Sequence, residues 1–216
     1  MVDLAHHWPE PLAGHTPLRE RLLAAYDEPR RGYHNRQHLA EVFARVDTIL
    51  AAGSHDIDLE KGPDGVDRDA VLLAAWFHDA VYDEHGDNEE RSAVLAEHEL
   101  SQAGLPGALV DEVVRLVRLT ATHQAGPDDP AGQVLCDADL GILAADEGRY
   151  EQYTAGVRQE YAHITDHDFR HGRAQVLRGL LDRSQLFSTD FARRRWEAAA
   201  RANIAGELQR LASPAG

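Results

Sequence analysis

Apolar residues recur at helical spacing through most of the chain, and this pattern predicts an all-α protein. Between Leu39 and Leu50 they return every three or four residues, as on one face of a helix. The run from Ala70 to Phe77 is apolar on every side, which is typical of a helix buried at the centre of a domain. Strand-like alternation and hairpin dipeptides are missing from the sequence. We therefore expect about eight or nine helices and no sheet.

The first fifteen residues lack any sustained period of apolar positions. We interpret residues 1–15 as an N-terminal arm, in which His6 and His7 are expected to be exposed to solvent. A hydroxyl residue followed by proline, Thr16-Pro17, then favours the start of the first helix.

Residues 16–216 are expected to form a single all-helical domain. Its candidate site lies within about residues 33–143, and C-terminal helices follow over about residues 146–212. The polar stretch over residues 53–67 contains turn-forming glycine, proline and aspartate, so it predicts a loop rather than a linker between domains.

Composition narrows the class of protein. The 216 residues include 37 Asp and Glu against 22 Lys and Arg, for a formal charge of -15. This excess of negative charge argues against a protein that binds long nucleic acid. A single cysteine, Cys136, and the lack of a signal-peptide pattern or a long apolar run indicate a soluble cytoplasmic protein without a membrane partner. The oligomeric state is left open.

Polar residues interrupt the apolar pattern at three separate places. His78 and Asp79 directly follow the buried run, His38 lies one turn before Val42, and Asp137 and Asp139 break the apolar segment over residues 134–143. Burying such groups without partners costs several kcal/mol, about 2–7 for a neutral group, so they must be hydrogen-bonded, ion-paired or bound to a metal.

One bound cation would account for all three interruptions. Two histidines and two carboxylates form a mixed nitrogen and oxygen set, which suits Mn, Fe, Co, Ni, Zn or Mg and leaves positions for water. A satisfied pair of core residues is the alternative for His78 and Asp79. The sequence therefore predicts a divalent metal ion as cofactor.

The order His, His-Asp, Asp on an all-helical chain resembles the HD superfamily of metal-dependent phosphohydrolases over residues 33–143. More narrowly, five segments resemble the family described as predicted HD-superfamily phosphohydrolases, and this likeness runs through nearly the whole chain. The segments are Tyr-His-Asn-x-x-His-Leu, Phe-His-Asp-x-Val-Tyr-Asp, Asp-Asn-Glu-Glu-x-Ser-Ala, Asp-Ala-Asp-Leu-x-Ile-Leu and Ala-Arg-x-Asn-Ile.

Carried over by position, the resemblance implies that His38, His78, Asp79 and Asp139 bind the metal. Asp139 is preferred because the last ligand of the superfamily usually follows alanine and precedes a residue such as leucine. Asp137 would then orient a histidine from outside the ligand set, although the two aspartates can exchange these roles.

The resemblance also implies two catalytic residues. His34 precedes His38 as in the metal site of cyclic-nucleotide phosphodiesterases, where the earlier histidine is a general acid that protonates the leaving oxygen. The alternative is a loop histidine that only helps to cap the helix. Asp83 occupies the position where some HD hydrolases keep an acid for the nucleophilic water, and otherwise it is a turn residue.

Four further residues are candidates for contact with the substrate or a second ion. His123 is expected to contact a phosphate or hold a second metal, either as an additional ligand or from outside the ligand set. Arg158, Tyr161 and Arg173 suit phosphate recognition through forked hydrogen bonds, with surface ion pairing as the alternative for the arginines.

The leading hypothesis is a metal-dependent phosphohydrolase that cleaves a phosphoester or phosphoanhydride bond of a small phosphorylated molecule, such as a nucleotide. One alternative is an HD-type di-iron oxygenase, for which His123 and His34 would supply extra ligands. A second alternative is a non-catalytic ligand-binding domain that keeps the metal as a structural element.

Overall fold

The computed structural model describes residues 4–53, 67–83 and 86–213. Within these ranges the chain forms ten α-helices and no β-strand, which confirms the predicted all-α class. The helices are α1 (Thr16–Tyr26), α2 (Arg36–Gly53), α3 (Arg68–Phe77), α4 (Asn88–Gln102), α5 (Gly107–Leu119), α6 (Pro130–Leu140), α7 (Glu147–Glu160), α8 (Asp166–Leu181), α9 (Asp190–Arg195) and α10 (Glu197–Ala212). Short 3₁₀ turns cover Ala5–His7, Glu10–Leu12 and Gly141–Ala144.

Helix α3 is the centre of the N-terminal part of the fold. The Asp67 side chain accepts a hydrogen bond from the Ala70 amide and caps the helix. All eight residues from Ala70 to Phe77 are buried, as their apolar character predicts, and α3 contacts α2, α4, α5 and α6. Burial of each large side chain in this run, such as Trp76, contributes roughly 1.5–3 kcal/mol, so α3 fixes the position of the His78-Asp79 turn that follows it.

The N-terminal segment differs from the predicted arm. Leu4 and Leu12 belong to the hydrophobic core, and His7 is buried with its Nε2 2.7 Å from the Asp47 carboxylate. Only the expectation for His6 agrees with the structure, since His6 is exposed. The segment lacks a detectable period because its 3₁₀ turns are too short to show one, and it covers the core with a few single side chains instead.

The buried apolar side chains fall into two clusters. The first is built mainly from α1 to α6. The second joins α7 to α10 with Tyr33, Ile142 and Leu143, and Trp196 packs against both clusters. The C-terminal helices therefore form a second packed layer against the helices that carry the predicted metal ligands.

Two glycines bring the loop before α2 into backbone contact with α7. A Cβ on Gly32 would lie 2.4 Å from the carbonyl oxygen of Gly156, and one on Gly156 would lie 2.6 Å from the carbonyl oxygen of Gly32. No Cβ fits at such distances, so the close approach requires glycine on both sides. We refer to this contact as the glycine joint.

Among the described helices, none is both long enough and apolar enough to cross a bilayer. Most of the loop predicted over residues 53–67 lies outside the described residues.

Candidate metal centre and adjoining cavity

Three helices bring distant residues to one point. His38 lies in the first turn of α2, His78 follows the last residue of α3, and Asp139 lies in the last turn of α6. One ligand atom from each lies within 4.8 Å of the others, and both histidines are buried. This cluster can hold a metal ion.

The separations within the cluster are close to those of a coordination shell. His38 Nε2 lies 3.1 Å from His78 Nε2 and 3.2 Å from Asp139 Oδ1, and His78 Nε2 lies 3.8 Å from Asp139 Oδ1. Ligand bonds of about 2.0–2.2 Å place neighbouring donors roughly 2.8–3.6 Å apart, from octahedral to tetrahedral geometry, so two separations fall within this range and the third is slightly wider. The three donor atoms therefore surround a space of the right size for such an ion.

Asp79 borders the same space. Its Oδ2 lies 3.0 Å from His78 Nε2 and 3.2 Å from His38 Nε2, although it falls outside the group whose donor atoms all lie within 4.8 Å of one another. This oxygen is buried and has no partner that meets hydrogen-bond geometry. A buried carboxylate oxygen without a donor costs free energy unless a cation stands beside it, so the residues present fit a bound ion.

The histidines and aspartates of the cluster shift one another's pKa values. Burial lowers the pKa of His78, but the Asp79 and Asp139 carboxylates outweigh that effect and raise the pKa to about 9. Burial also opposes protonation of His38, whose pKa is nevertheless raised by its close contacts with the same two carboxylates. Conversely, burial favours the neutral acids, but the nearby histidines hold the pKa of both aspartates well below the usual value. In the absence of a metal, protons therefore take the place of the cation.

His38 and His78 differ in the hydrogen bonding of Nδ1, the ring nitrogen that does not face the cluster. His78 Nδ1 donates to the carbonyl oxygen of Ala75 at 2.8 Å, which leaves Nε2 free to face the cluster. His38 Nδ1 is buried without a partner. A backbone acceptor of the kind His78 has is usual for metal-binding histidines, since it fixes the tautomer.

His123 contacts the ligand set from outside. Its Nε2 lies 2.7 Å from Asp139 Oδ2, the carboxylate oxygen that does not face His38. The residue has a left-handed backbone with φ of 51°, and the Arg183 guanidinium donates to the Thr122 and His123 carbonyl oxygens. His123 therefore orients the Asp139 carboxylate from outside the set of candidate ligands, which is one of the two positions expected for it.

Asp137 is hydrogen-bonded to backbone amides rather than to a histidine. Its carboxylate accepts hydrogen bonds from the amides of Ser188 and Thr189 at 2.7–3.1 Å, just before α9. Side chains two residues apart are rotated by about 200° around the helix axis. Asp137 and Asp139 therefore lie on nearly opposite sides of α6 and cannot face the same site. The expected role of Asp137 in orienting a histidine is thus corrected: it holds α9 against α6.

His34 is held by a residue that the sequence pattern did not reveal. Its Nδ1 donates to Glu160 Oε2 at 2.8 Å, and Glu160 Oε1 accepts from the Tyr33 and His34 amides. The Tyr82 hydroxyl donates to Glu160 Oε2 at 3.2 Å, and the Tyr82 ring stacks on the imidazole. Burial alone would raise the pKa of Glu160, but its bonds to His34 lower it. Glu160 lies in a polar stretch of α7, where no period or motif marks it.

Arg31 is a second residue without a sequence signal. Its guanidinium is buried and donates to the carbonyl oxygens of His34, Asp79 and Ala80 at 2.6–3.0 Å. The guanidinium presents five N–H donors in a rigid planar fork, and two of its nitrogens reach the three carbonyl oxygens at once. Arg31 therefore ties the loop that carries His34 to the turn that carries Asp79.

Asp83 has the contacts of a turn residue. Both of its carboxylate oxygens accept from Arg91 at 2.8 Å, and its backbone exchanges two hydrogen bonds with the Asn88 side chain. Asp83 is not among the residues that line the cavity beside the cluster. The structure thus assigns it to the start of α4, rather than to the catalytic role that the resemblance implies.

A cavity of about 1020 Å³ adjoins the cluster of His38, His78 and Asp139, and Asp139 forms part of its lining. Asp139, His34 and His123 line it together with Tyr161 and Arg173, so two of the three residues expected to bind substrate are on its wall.

Arg158 lies outside that lining. Its guanidinium donates to the Asp166 carboxylate and to the Tyr161 and Ile164 carbonyl oxygens. The expectation that Arg158 recognises a phosphate is therefore corrected, because its donors hold the connection between α7 and α8.

The chain has no match among protein-family models, curated proteins or solved structures.

Proposed function

We propose that the protein is a metal-dependent phosphohydrolase that cleaves a phosphoester or phosphoanhydride bond of a small phosphorylated molecule. The observation that carries this proposal is the buried cluster of His38, His78 and Asp139 at the edge of a cavity large enough for a small molecule. The likeness of the sequence motifs to HD-superfamily phosphohydrolases supports the same reaction class.

His38, His78 and Asp139 would hold the ion, and we assign Asp79 as the fourth ligand. Its unpartnered Oδ2 lies beside both histidine nitrogens, where a cation would satisfy it. A divalent ion such as Mn, Fe, Co, Ni, Zn or Mg supplies Lewis acidity toward a phosphoryl oxygen and lowers the pKa of bound water. His123 keeps the Asp139 carboxylate in the orientation that this binding requires.

His34 is the proposed general acid. Nδ1–H is bound to the Glu160 carboxylate, so in the imidazolium form the second proton lies on Nε2, from which it can pass to a leaving oxygen in the cavity and leave neutral imidazole. Tyr82 limits rotation of the ring by stacking on it at a centroid distance of 4.1 Å. The wall residues Tyr161 and Arg173 would contact the remainder of the substrate.

The di-iron alternative receives less support from the contacts. It requires His123 and His34 as additional ligands, but His123 Nε2 is already hydrogen-bonded to Asp139 Oδ2 at 2.7 Å. His123 thus has a partner that accounts for its position beside a single ion.

The proposal is tested by elemental analysis of the purified protein, followed by removal of the metal and a phosphatase screen with each candidate ion. We expect about one divalent ion per chain and turnover that returns when the ion is restored. Two irons with oxygen-dependent turnover would favour the oxygenase. Bound metal with tight nucleotide binding and no turnover would favour the non-catalytic domain.

A further inference from the structure

The charges that face the cavity are mostly negative. Its lining holds four carboxylates and two guanidinium groups, namely Glu89, Asp139, Asp168, Asp182, Arg173 and Arg183. Each phosphoryl group on a ligand adds further negative charge to this surface. A chain of several phosphoryl groups would therefore meet repulsion that one group beside a cation would not.

Both arginines already have partners within the protein. Arg173 donates to the buried Glu207 carboxylate and to the Tyr153 hydroxyl. Arg183 donates to the carbonyl oxygens of Thr122 and His123. Because Glu207 balances the charge of Arg173, that side chain offers little net attraction for a second or third phosphoryl group, and Arg183 already directs donors to two backbone carbonyls.

Part of the cavity wall is an apolar stripe of α8. Phe169, Gly172, Val176, Gly179 and Leu180 all line the cavity, and their spacing places them on one face of the helix. A Cβ built on Gly172 or Gly179 would meet no atom within 4 Å, so the two glycines leave the stripe recessed.

Exposed apolar side chains are concentrated at the cavity. Val176 is 57% exposed and Tyr161 is 42% exposed, and they are two of the three large apolar residues with such exposure among the described residues. Both lie on the cavity wall. Apolar surface gathered at a concave site indicates a ligand that covers it.

We propose that the substrate is a phosphomonoester with a single phosphoryl group and an apolar body, and that this body lies along the α8 stripe. The inference rests on the proposed phosphohydrolase function and narrows its substrate class. It places the phosphoryl group at Asp139 and the apolar group between Tyr161 and Val176.

The first test measures binding and hydrolysis with a graded series. Methyl, butyl and hexyl phosphates serve as substrates, and the matching alkyl phosphonates, which are not hydrolysed, serve as ligands for calorimetry on the metal-loaded protein. We expect affinity and kcat/KM to rise up to about fourfold for each methylene that becomes buried. Hexyl diphosphate should bind more weakly than hexyl phosphate.

The second test places larger side chains in the recessed part of the α8 stripe. Gly172→Leu and Gly179→Leu place a side chain into open space on a helix, where leucine is the better helix former, so the variants should fold. Each should abolish most of the gain from methyl to hexyl while methyl phosphate is still hydrolysed. Gly206→Leu, in α10 and outside the cavity lining, is the matched control and should retain the full gain.

The outcomes separate this inference from the proposed function. Hydrolysis of methyl phosphate with no dependence on chain length, or tighter binding of the diphosphate, would overturn the inference and leave the phosphohydrolase standing. Phosphonate binding that grows with chain length but with no hydrolysis of any ester would overturn the proposed function and support the apolar site. Equal losses in Gly206→Leu and the stripe variants would overturn the inference as well.

Discussion

The His34 imidazole and the Glu160 carboxylate form a hydrogen bond of 2.8 Å across 126 residues of sequence. The same carboxylate also accepts from both backbone amides of the Tyr33-His34 pair. Glu160 thus fixes the position, orientation and tautomer of a residue that the C-terminal helices would otherwise not touch.

We expect His34→Asn and Glu160→Gln to impair hydrolysis in a way that depends on the leaving group. With an alkyl phosphate, which requires protonation of the leaving oxygen, His34→Asn should lower kcat by roughly 10²–10⁴-fold, and Glu160→Gln by a smaller factor. With 4-nitrophenyl phosphate, whose leaving group is stable as an anion, both losses should nearly vanish. Equal losses with both substrates would show that Glu160 only supports the fold.

Removal of a ligand should remove the metal. His78→Ala and Asp79→Ala are expected to lose the bound ion and at least about a hundredfold in activity, since even outer partners of a metal site contribute roughly 10–100-fold. The control is His167→Ala, whose side chain is 92% exposed, and it should keep metal content and activity. Elemental analysis is the measurement. Full metal content in both ligand variants would rule out the assigned site.

The two aspartates of α6 should respond differently to the same change. Asp139→Asn is expected to lose metal, because its Oδ1 faces His38 and its Oδ2 faces His123. Asp137→Asn should retain metal but lose about 1–3 kcal/mol of unfolding free energy, because its bonds to the Ser188 and Thr189 amides are weakened. Metal analysis and urea denaturation distinguish them, and the reverse pattern would exchange their roles.

The stability of the metal-free protein should fall at high pH. The pKa of His78 rises from 6.5 to about 9 on folding, so the folded state binds this proton more tightly than the unfolded state. The resulting stability is complete below pH 6.5 and is lost as the pH rises through 9. His78 alone contributes about 3 kcal/mol to this change, and His38, whose pKa is also raised, acts in the same direction.

Urea denaturation in chelator at pH 6.5 and pH 9 measures this loss. Saturation with metal should abolish it, because the metal-bound histidines are neutral at both pH values. Equal stability of the metal-free protein at the two pH values would contradict the prediction.

Two neighbouring arginines should differ in their effect on stability. Arg31→Met leaves three carbonyl oxygens without their donor and should lower the free energy of unfolding by roughly 2–4 kcal/mol. Arg30→Met removes only an exposed pair with Glu28, and its effect should be within about 0.5 kcal/mol. Urea denaturation gives both values. Similar losses in the two variants would contradict the structural role of Arg31.

The fold and part of the site follow from periodicity alone. The Ala70 to Phe77 run is predicted to be buried because no face of it is polar, and α3 is indeed enclosed by four helices. His38 and His78 could be found because each is a polar residue next to an apolar helical face. A polar residue stands out in an apolar helical pattern because its burial without a partner costs free energy.

The supporting residues could not be found in this way. Arg31 and Glu160 lie in polar stretches, where a charged residue is ordinary, and their roles arise from contacts that only the folded chain creates. The apolar pattern likewise does not separate Asp137 from Asp139, since both interrupt the same apolar segment, and the preference for Asp139 comes from the family resemblance. Only the rotation of α6 about its axis decides which one faces the histidines.

The glycine joint determines where this cavity can change in size. At Gly32 and Gly156 two backbones touch, so any larger residue would push α7, and Glu160 with it, away from His34. The α8 wall of the cavity is free of that restriction, because Gly172 and Gly179 face open space. Substitutions along α8 can therefore reshape the ligand site for molecules of different length, while the position of the proposed acid stays constant.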